Sequence, residues 1–310
     1  MSASRSNSFT GSLLGVSITF LTTLQAHAAE GGYSNYLPGT YGDFGLALEP
    51  PGKLTLRNDV YYYGADTSRA LRGGNLQTGI ELDFLLNMTT LLYKPEVKVF
   101  GSQYAFGAMI PLVHAELDAT VGGLSVSDDT TGLGDITLIP GIFFWSCGKA
   151  HMSLAQFIIA PTGDYSVNNA VNPGLNYWTF DTNFAFTWLD EEKGREFSFN
   201  LGHTYNTEND ATNYQTGQEI HLDVAINQYL SETLAVGLQG FYLNQITGDS
   251  GSGALLGDFQ ARASGIGPAI MWATQMGDQD VTFIAKWLHE FDADKRIEGD
   301  HVFLSLAMDW

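Results

Sequence analysis

Cysteine is almost missing from this sequence. Cys147 is the only one in 310 residues, so an intrachain disulfide and a cysteine-based zinc cage are both excluded. Basic residues are scarce as well: 14 Lys and Arg stand against 34 Asp and Glu, for a formal net charge of −20. Nucleic-acid binding needs basic patches and is not expected of such a chain. Long apolar runs are also absent. The longest, Leu13 to Leu24, falls short of the roughly 20 residues that a helical membrane span requires. It follows the single charge of Arg5 and precedes Ala26-His27-Ala28, a small-x-small cleavage site. Residues 1–28 therefore read as a signal peptide.

What the sequence does have is alternation. Between Glu196 and Gln245, Phe197, Phe199, Leu201, His203 and Tyr205 alternate with Ser198, Asn200, Gly202 and Thr204. Ile220, Leu222, Val224 and Ile226 alternate with His221, Asp223, Ala225 and Asn227. Leu234, Val236, Leu238 and Tyr242 alternate with Ala235, Gly237 and Gln239. A period of two over eight or more residues is a strand signal. These strands are long, one face is large and aromatic, and the other is polar or small. That pattern suits a transmembrane barrel, with apolar side chains towards lipid and polar ones towards the lumen. A soluble sandwich would show shorter strands and more continuous apolar runs. The mean hydropathy of −0.04 agrees with strands that mix the two faces.

The same pattern extends along the chain. Residues 29–52 are rich in Gly, Pro and Tyr and read as an irregular segment, placed either in the lumen as a partial plug or in the periplasm. Residues 53–310 read as the barrel. Strand one, Lys53 to Tyr63, turns Arg57, Asp59, Tyr61 and Tyr63 inward. Strand two, Thr78 to Leu91, is expected to turn Ile80, Leu82, Phe84, Leu86 and Met88 outward, with Glu81, Asp83 and Asn87 inward. After strand three, Val97 to Leu117, a long connection is expected from Asp118 to Thr131. Strand four follows from Gly132 to Trp145, and strand five from His151 to Pro161. Strand six turns Trp178, Phe180, Phe184, Phe186 and Trp188 outward, with Tyr177, Thr179, Asp181 and Asn183 inward. After the three-strand meander come Ser264 to Gln275, Val281 to Phe291 and His301 to Trp310. This makes about twelve antiparallel strands, an all-β fold. Short and long connections alternate, as periplasmic turns and extracellular loops do in outer-membrane barrels, and the even count agrees. The last strand lines up Val302, Leu304, Leu306, Met308 and Trp310 on one face. A terminal strand that ends on an aromatic resembles the signal such barrels present to their assembly machinery.

The expected lumen lining is Arg57, Asp59, Tyr61, Glu81, Asp83, Tyr177, Asp181, His221, Asp223, Lys286 and Glu290. Carboxylates inside a barrel must meet water, a cation or a partner. The mixed signs fit a polar passage with aromatic contact surface, or an internal salt-bridge network in a closed barrel; both readings stay open. In the first, Glu81 and Asp83 beside a single Arg57 would give a cation preference. His221 and Asp223, two apart on one strand face, form either a metal or proton site or a hydrogen-bonded piece of wall. Gly248-Asp249-Ser250-Gly251 looks like a serine-protease nucleophile loop, but no matching His motif lies upstream. His151-Met152-Ser153 has the spacing of a barrel phospholipase, yet falls at a periplasmic turn. No catalytic residue, cofactor or metal is expected.

Several stretches carry a family resemblance. Tyr36-Leu37-Pro38-Gly39 with Gly42-Asp43-Phe44-Gly45 is one, followed by Arg57-Asn58-Asp59 with Tyr61-Tyr62. Gly132-Leu133-Gly134-Asp135 with Pro140-Gly141 is another. The rest are Asn206-Thr207-Glu208-Asn209, Tyr214 to Glu219 with His221-Leu222-Asp223, Gln245 to Asp249, and Gly265-Ile266-Gly267-Pro268. Together they resemble a family of Gram-negative outer-membrane proteins associated with the meta pathway of phenol degradation. The resemblance implies a transporter-like barrel in the outer-membrane bilayer, linked with uptake of aromatic or other hydrophobic compounds. It supplies no residue roles. The expected function is passive uptake of small organic solutes, and the alternative is a closed barrel with a structural or adhesion role.

Overall fold

A computed structural model describes residues 34–66, 78–121, 124–254, 260–277 and 279–310. The signal-peptide reading falls on residues outside these. Fourteen strands follow one another: β1 (Leu54–Asp66), β2 (Thr78–Tyr93), β3 (Lys98–Val99), β4 (Ser102–Val121), β5 (Leu124–Leu133), β6 (Thr137–Cys147), β7 (Ala150–Ile159), β8 (Thr179–Asp190), β9 (Arg195–Asn206), β10 (Glu219–Tyr229), β11 (Leu234–Gln245), β12 (Arg262–Met276), β13 (Gln279–Asp294) and β14 (Glu298–Asp309). Twelve of them close a ring of antiparallel neighbours, because β1 pairs with both β2 and β14, and β2 pairs in turn with β4. Closure removes both sheet edges, the liability of any open sheet this large.

The outer surface is an apolar belt. Trp178, Phe184, Leu201, Ile226, Trp272 and Leu304 are all exposed on it. A protein surrounded by water does not leave a patch this continuous uncovered. Leu54 and Trp310 share one end of the barrel, where Lys53 and Leu54 donate their backbone N–H groups to the Trp310 carbonyl. The short turns at 147–150, 190–195 and 229–234 lie at that end, and the long connections 159–179, 206–219 and 245–262 lie at the other. This is the asymmetry of outer-membrane barrels.

Two expectations are corrected here. The first is the phase of β2. Leu82, Phe84, Leu86 and Met88 are buried inside, while Glu81 is exposed on the outer surface. Asp83 is on that outer face too, where it accepts a hydrogen bond from Tyr62. Register explains the inversion. Tyr63 stands opposite Phe84, Tyr61 opposite Leu86 and Asp59 opposite Met88, and directly opposed residues share a face. Once Tyr61 and Tyr63 point inward, the apolar set of β2 must follow. It is accommodated because this part of the lumen is a dry core, with Phe84 and Leu86 packed among Tyr61, Leu243, Leu288 and Phe303.

The second correction concerns residues 118–131. They are not a connection. β4 continues to Val121 and β5 returns along it, from Val121 opposite Leu124 to Leu112 opposite Leu133. β5 and β6 then lie end to end along one edge of β4. Between them, Asp135 accepts the backbone N–H groups of Gly163 (2.8 Å) and Leu175 (2.7 Å). Ser127, Asp128 and Asp129 carry no strand signal of their own. The hydrogen-bonding edge of β4 makes them a strand.

Replacing Phe84 with Ala should lower the unfolding free energy by about 3–5 kcal/mol. The pair Glu81→Gln with Asp83→Asn should stay within about 0.5 kcal/mol of wild type. Urea titration of the refolded barrel measures both. A cost at the acid pair equal to that at Phe84 would contradict the observed phase.

Candidate functional site

The lumen has two unlike walls, and both follow from strand phase. Along β8, β9 and β10 the inward positions hold Asp181, Asn183, Thr187, Ser198, Thr204, His221 and Asp223, all nearly inaccessible to solvent. Along β2, β4, β6 and β7 they include Met88, Met109, Ile139 and Ile159. One half of the barrel is therefore lined with hydrogen-bonding groups, the other mostly with apolar ones.

A carboxylate on the polar half is stable only if something donates to it. Residues 34–50, an irregular run of turns inside the barrel, supply the donors. Tyr36 donates its hydroxyl to Asp223 Oδ2 (2.9 Å) and Tyr41 to Asp181 Oδ2 (2.7 Å). Both rings lie flat against the His221 imidazole, with centroids 3.8 Å and 5.4 Å away. His221 Nε2 is 3.0 Å from Asp181 Oδ1. It faces a carboxylate rather than an open coordination position. Further towards the turn end, Gly45 N–H donates to Glu196 (3.0 Å) and Ala47 N–H to Thr187 (3.0 Å). At the other end, Asn35 donates to Thr179 (2.7 Å). The segment thus follows β8 from one end of the lumen to the other.

Charges complete the attachment. Arg57 donates to Asp43 on the segment (2.8 Å) and to Asp59 beside it on β1 (2.9 Å). Lys286 Nζ donates to the carbonyl of Gly39 (2.6 Å) and to that of Gly42, and stands 4.4 Å over the Phe303 ring. Gly39 has φ +83°, and a side chain there would meet Leu288 at 2.3 Å. The left-handed backbone at Gly39 is what favours glycine in the turn that Lys286 holds.

Of the residues expected to line the lumen, Arg57, Asp59, Asp181, His221, Asp223 and Lys286 gather around this segment. Tyr61 and Glu290 belong to a second group. Tyr61 is 2.9 Å from His301 Nδ1, and Glu290 accepts from Tyr63 (3.0 Å) and from the Gly299 N–H (2.8 Å). Tyr177 is buried just before β8 begins. Glu81 and Asp83 are outside altogether. Sequence reasoning did not find Tyr36, Tyr41, Asp43, Glu196 or His301 as lumen groups. The usable signal for the first three was the density of Tyr and Gly before strand one. Asp249, in the protease-like tetrapeptide, accepts from Gly217 N–H (2.9 Å) and Gln245 (2.6 Å), so it organises a loop.

On the aliphatic side the segment does not fill the barrel. A cavity of about 240 Å³ remains, bounded by Leu37 and Tyr41 on the segment and by Met88, Met109, Ile142 and Phe157 on the wall. A smaller one of about 80 Å³ shares Met88 and Met109 with it and reaches Asp135 and Pro173.

Burial and the neighbouring carboxylates raise both tyrosines of this segment above their ordinary value of 10, Tyr36 beside Asp223 and Tyr41 beside Asp181. A raised folded-state value means that their contribution is complete below pH 10 and is lost as pH rises through the folded values. Phenolate absorbance should show these two ionising later than the exposed tyrosines, and the late component should shrink in Tyr36→Phe. His221 lies on Gly202, where an added Cβ would stand 2.0 Å from the ring. Gly202→Ala should therefore cost about 1–3 kcal/mol by displacing the imidazole. It should also open residues 34–50 to protease in the folded barrel.

No curated protein matches the sequence. Among solved structures, the chain is similar to the COG4313 outer membrane channel from Pseudomonas putida F1. The two are 14% identical with a TM-score of 0.67, over 88% of this chain and 98% of that one. Weaker similarities reach the transport unit of the autotransporter AIDA-I from Escherichia coli (10% identity, TM-score 0.46, 88% and 94% covered) and a FadL homologue from Pseudomonas aeruginosa (9% identity, TM-score 0.39, 93% and 97% covered). At those scores the latter two carry no argument. The fold is that of an outer-membrane barrel, and its apolar belt sits in the lipid of that membrane. Residues 65–306 match the family described as "Putative MetA-pathway of phenol degradation", and with most of its length matched the chain belongs to that family.

Proposed function

We propose that the barrel admits small organic solutes by passive passage along the seam between residues 34–50 and the aliphatic wall. The cavity bounded by Met88, Met109, Ile142 and Phe157 carries this reading. Pockets that accept small organic molecules are mostly apolar, with a few placed polar groups, and this one has Asp181, Thr179 and Arg57 at its polar margin. A hydrophilic pore would instead be wet on all sides. Trp310, at the end of the last strand, is proposed as the contact for the assembly machinery that inserts the barrel.

A second reading has its own support. The hydrogen bonds from residues 35–47 to β8, β9 and β10 run along the lumen, which suits a closed barrel with a structural or adhesion role. One experiment separates the two. Cells that express the protein should take up toluene or benzyl alcohol several-fold faster than cells without it. Ile142→Trp, which fills the cavity, should abolish the gain while the barrel still folds. Uptake equal to that of cells without the protein would favour the closed barrel. A gain that survives Ile142→Trp would place the route elsewhere.

A further inference from the structure

The charged groups around the cavity are already matched to one another. Asp43, Arg57 and Asp59 border it, and the guanidinium of Arg57 is shared between the two carboxylates at 2.8 Å each. It also donates to Ser305 (3.2 Å). Behind them the Lys286 ammonium lies in the field of Asp43, Asp223 and Asp59 while it holds the Gly39 and Gly42 carbonyls. Two cations here face three carboxylates, of which Asp223 also accepts from Tyr36. The other bordering carboxylate, Asp181, is taken up by Tyr41, Thr204 and His221. Everything else that faces the space is a hydroxyl, an amide or a hydrocarbon.

We infer that this cavity selects uncharged, compact solutes, and that Asp43 sets this preference by occupying Arg57. The inference rests on the proposed passage and names its substrate class. A carboxylate or ammonium that entered would leave its water without finding a free countercharge, which is the costly case for a buried ion. A neutral ring or short chain loses little water and gains the Met, Ile and Phe contacts. The volume of about 240 Å³ accommodates a single substituted ring.

The balance can be tipped in either direction. Asp43→Asn removes one carboxylate from beside Arg57, and Lys286→Met removes one cation from the group. Fluorine NMR on the refolded barrel in amphipol, with para-fluorobenzyl alcohol, para-fluorobenzoate and para-fluorobenzylammonium as probes, reads the result. Wild type should bind the alcohol at least ~10-fold more tightly than either ion. Asp43→Asn should gain about tenfold for the benzoate alone and Lys286→Met about tenfold for the ammonium alone, the order expected for one uncompensated charge in a partly screened site. Two results would overturn the inference while the passage stands: wild type binding an ion as tightly as the alcohol, or both variants gaining both ions, which a loosened segment would cause. Failure of the alcohol itself to bind would overturn the passage together with the inference. The wild-type comparison is informative even where a variant does not fold.

Discussion

Buried carboxylates that accept hydrogen bonds from one short segment are what the interior of this barrel depends on. Asp181 and Asp223 point into the lumen because alternation leaves them no other direction. Without donors each would carry a heavy desolvation cost. Tyr36 and Tyr41 lower that cost by placing a hydroxyl on one oxygen of each, and stacking on His221 fixes the rings that carry those hydroxyls. A hydrogen bond to a charged group contributes about 1.5–3 kcal/mol net, and a buried charge left without one costs more than it would have gained. The segment and the polar wall are therefore mutually required.

The aliphatic half of the lumen follows from the same economy of partners. Residues 34–50 direct hydrogen bonds to β8, β9 and β10. The inward positions of β2, β4, β6 and β7 are mostly apolar, with Met88, Met109, Ile139 and Ile159 among them, and carry only hydroxyls such as Thr90 and Thr137 as polar groups beside the cavity. The segment touches this wall through Leu37 and Tyr41 and leaves a space beside it. The result is an interior closed by hydrogen bonds on one side and only loosely filled on the other. That asymmetry distinguishes it from a uniformly wet pore and from a solid core. Charges are handled locally: Arg57 between Asp43 and Asp59, Lys286 on two backbone carbonyls, and Glu290 among Tyr63, His301 and Arg296.

Alternation along the chain was enough to establish the closed barrel, its even strand number, the lipid-facing aromatics of β8 and β9, and the inward placement of Asp181, His221 and Asp223. A period of two assigns faces wherever polar and apolar residues trade places, and lipid enforces that contrast on the outer surface. The placement of Trp178, Phe180 and Phe184 against Tyr177, Asp181 and Asn183 was legible for this reason.

Only the tertiary structure decided the rest. In β2 both faces are chemically plausible, since Leu82 to Met88 could meet lipid or a dry lumen. The register with Tyr61 and Tyr63 on β1 settled it, and that register is a long-range property. In β5 the sequence Ser127-Asp128-Asp129 has no strand preference, and the free edge of β4 imposed one. The position of residues 34–50 was undetermined because Gly- and Tyr-rich chain has no period; its conformation is set by the donors and acceptors it meets. The partners of Tyr36, Tyr41 and Asp43 lie on β8, β10 and β1, and the Asp181 and Asp223 partners are more than a hundred residues away in the chain. Strand faces are local and repeat every two residues, so sequence alone could determine them. Which face meets a dry interior, and which groups meet across it, depended on closure of the ring.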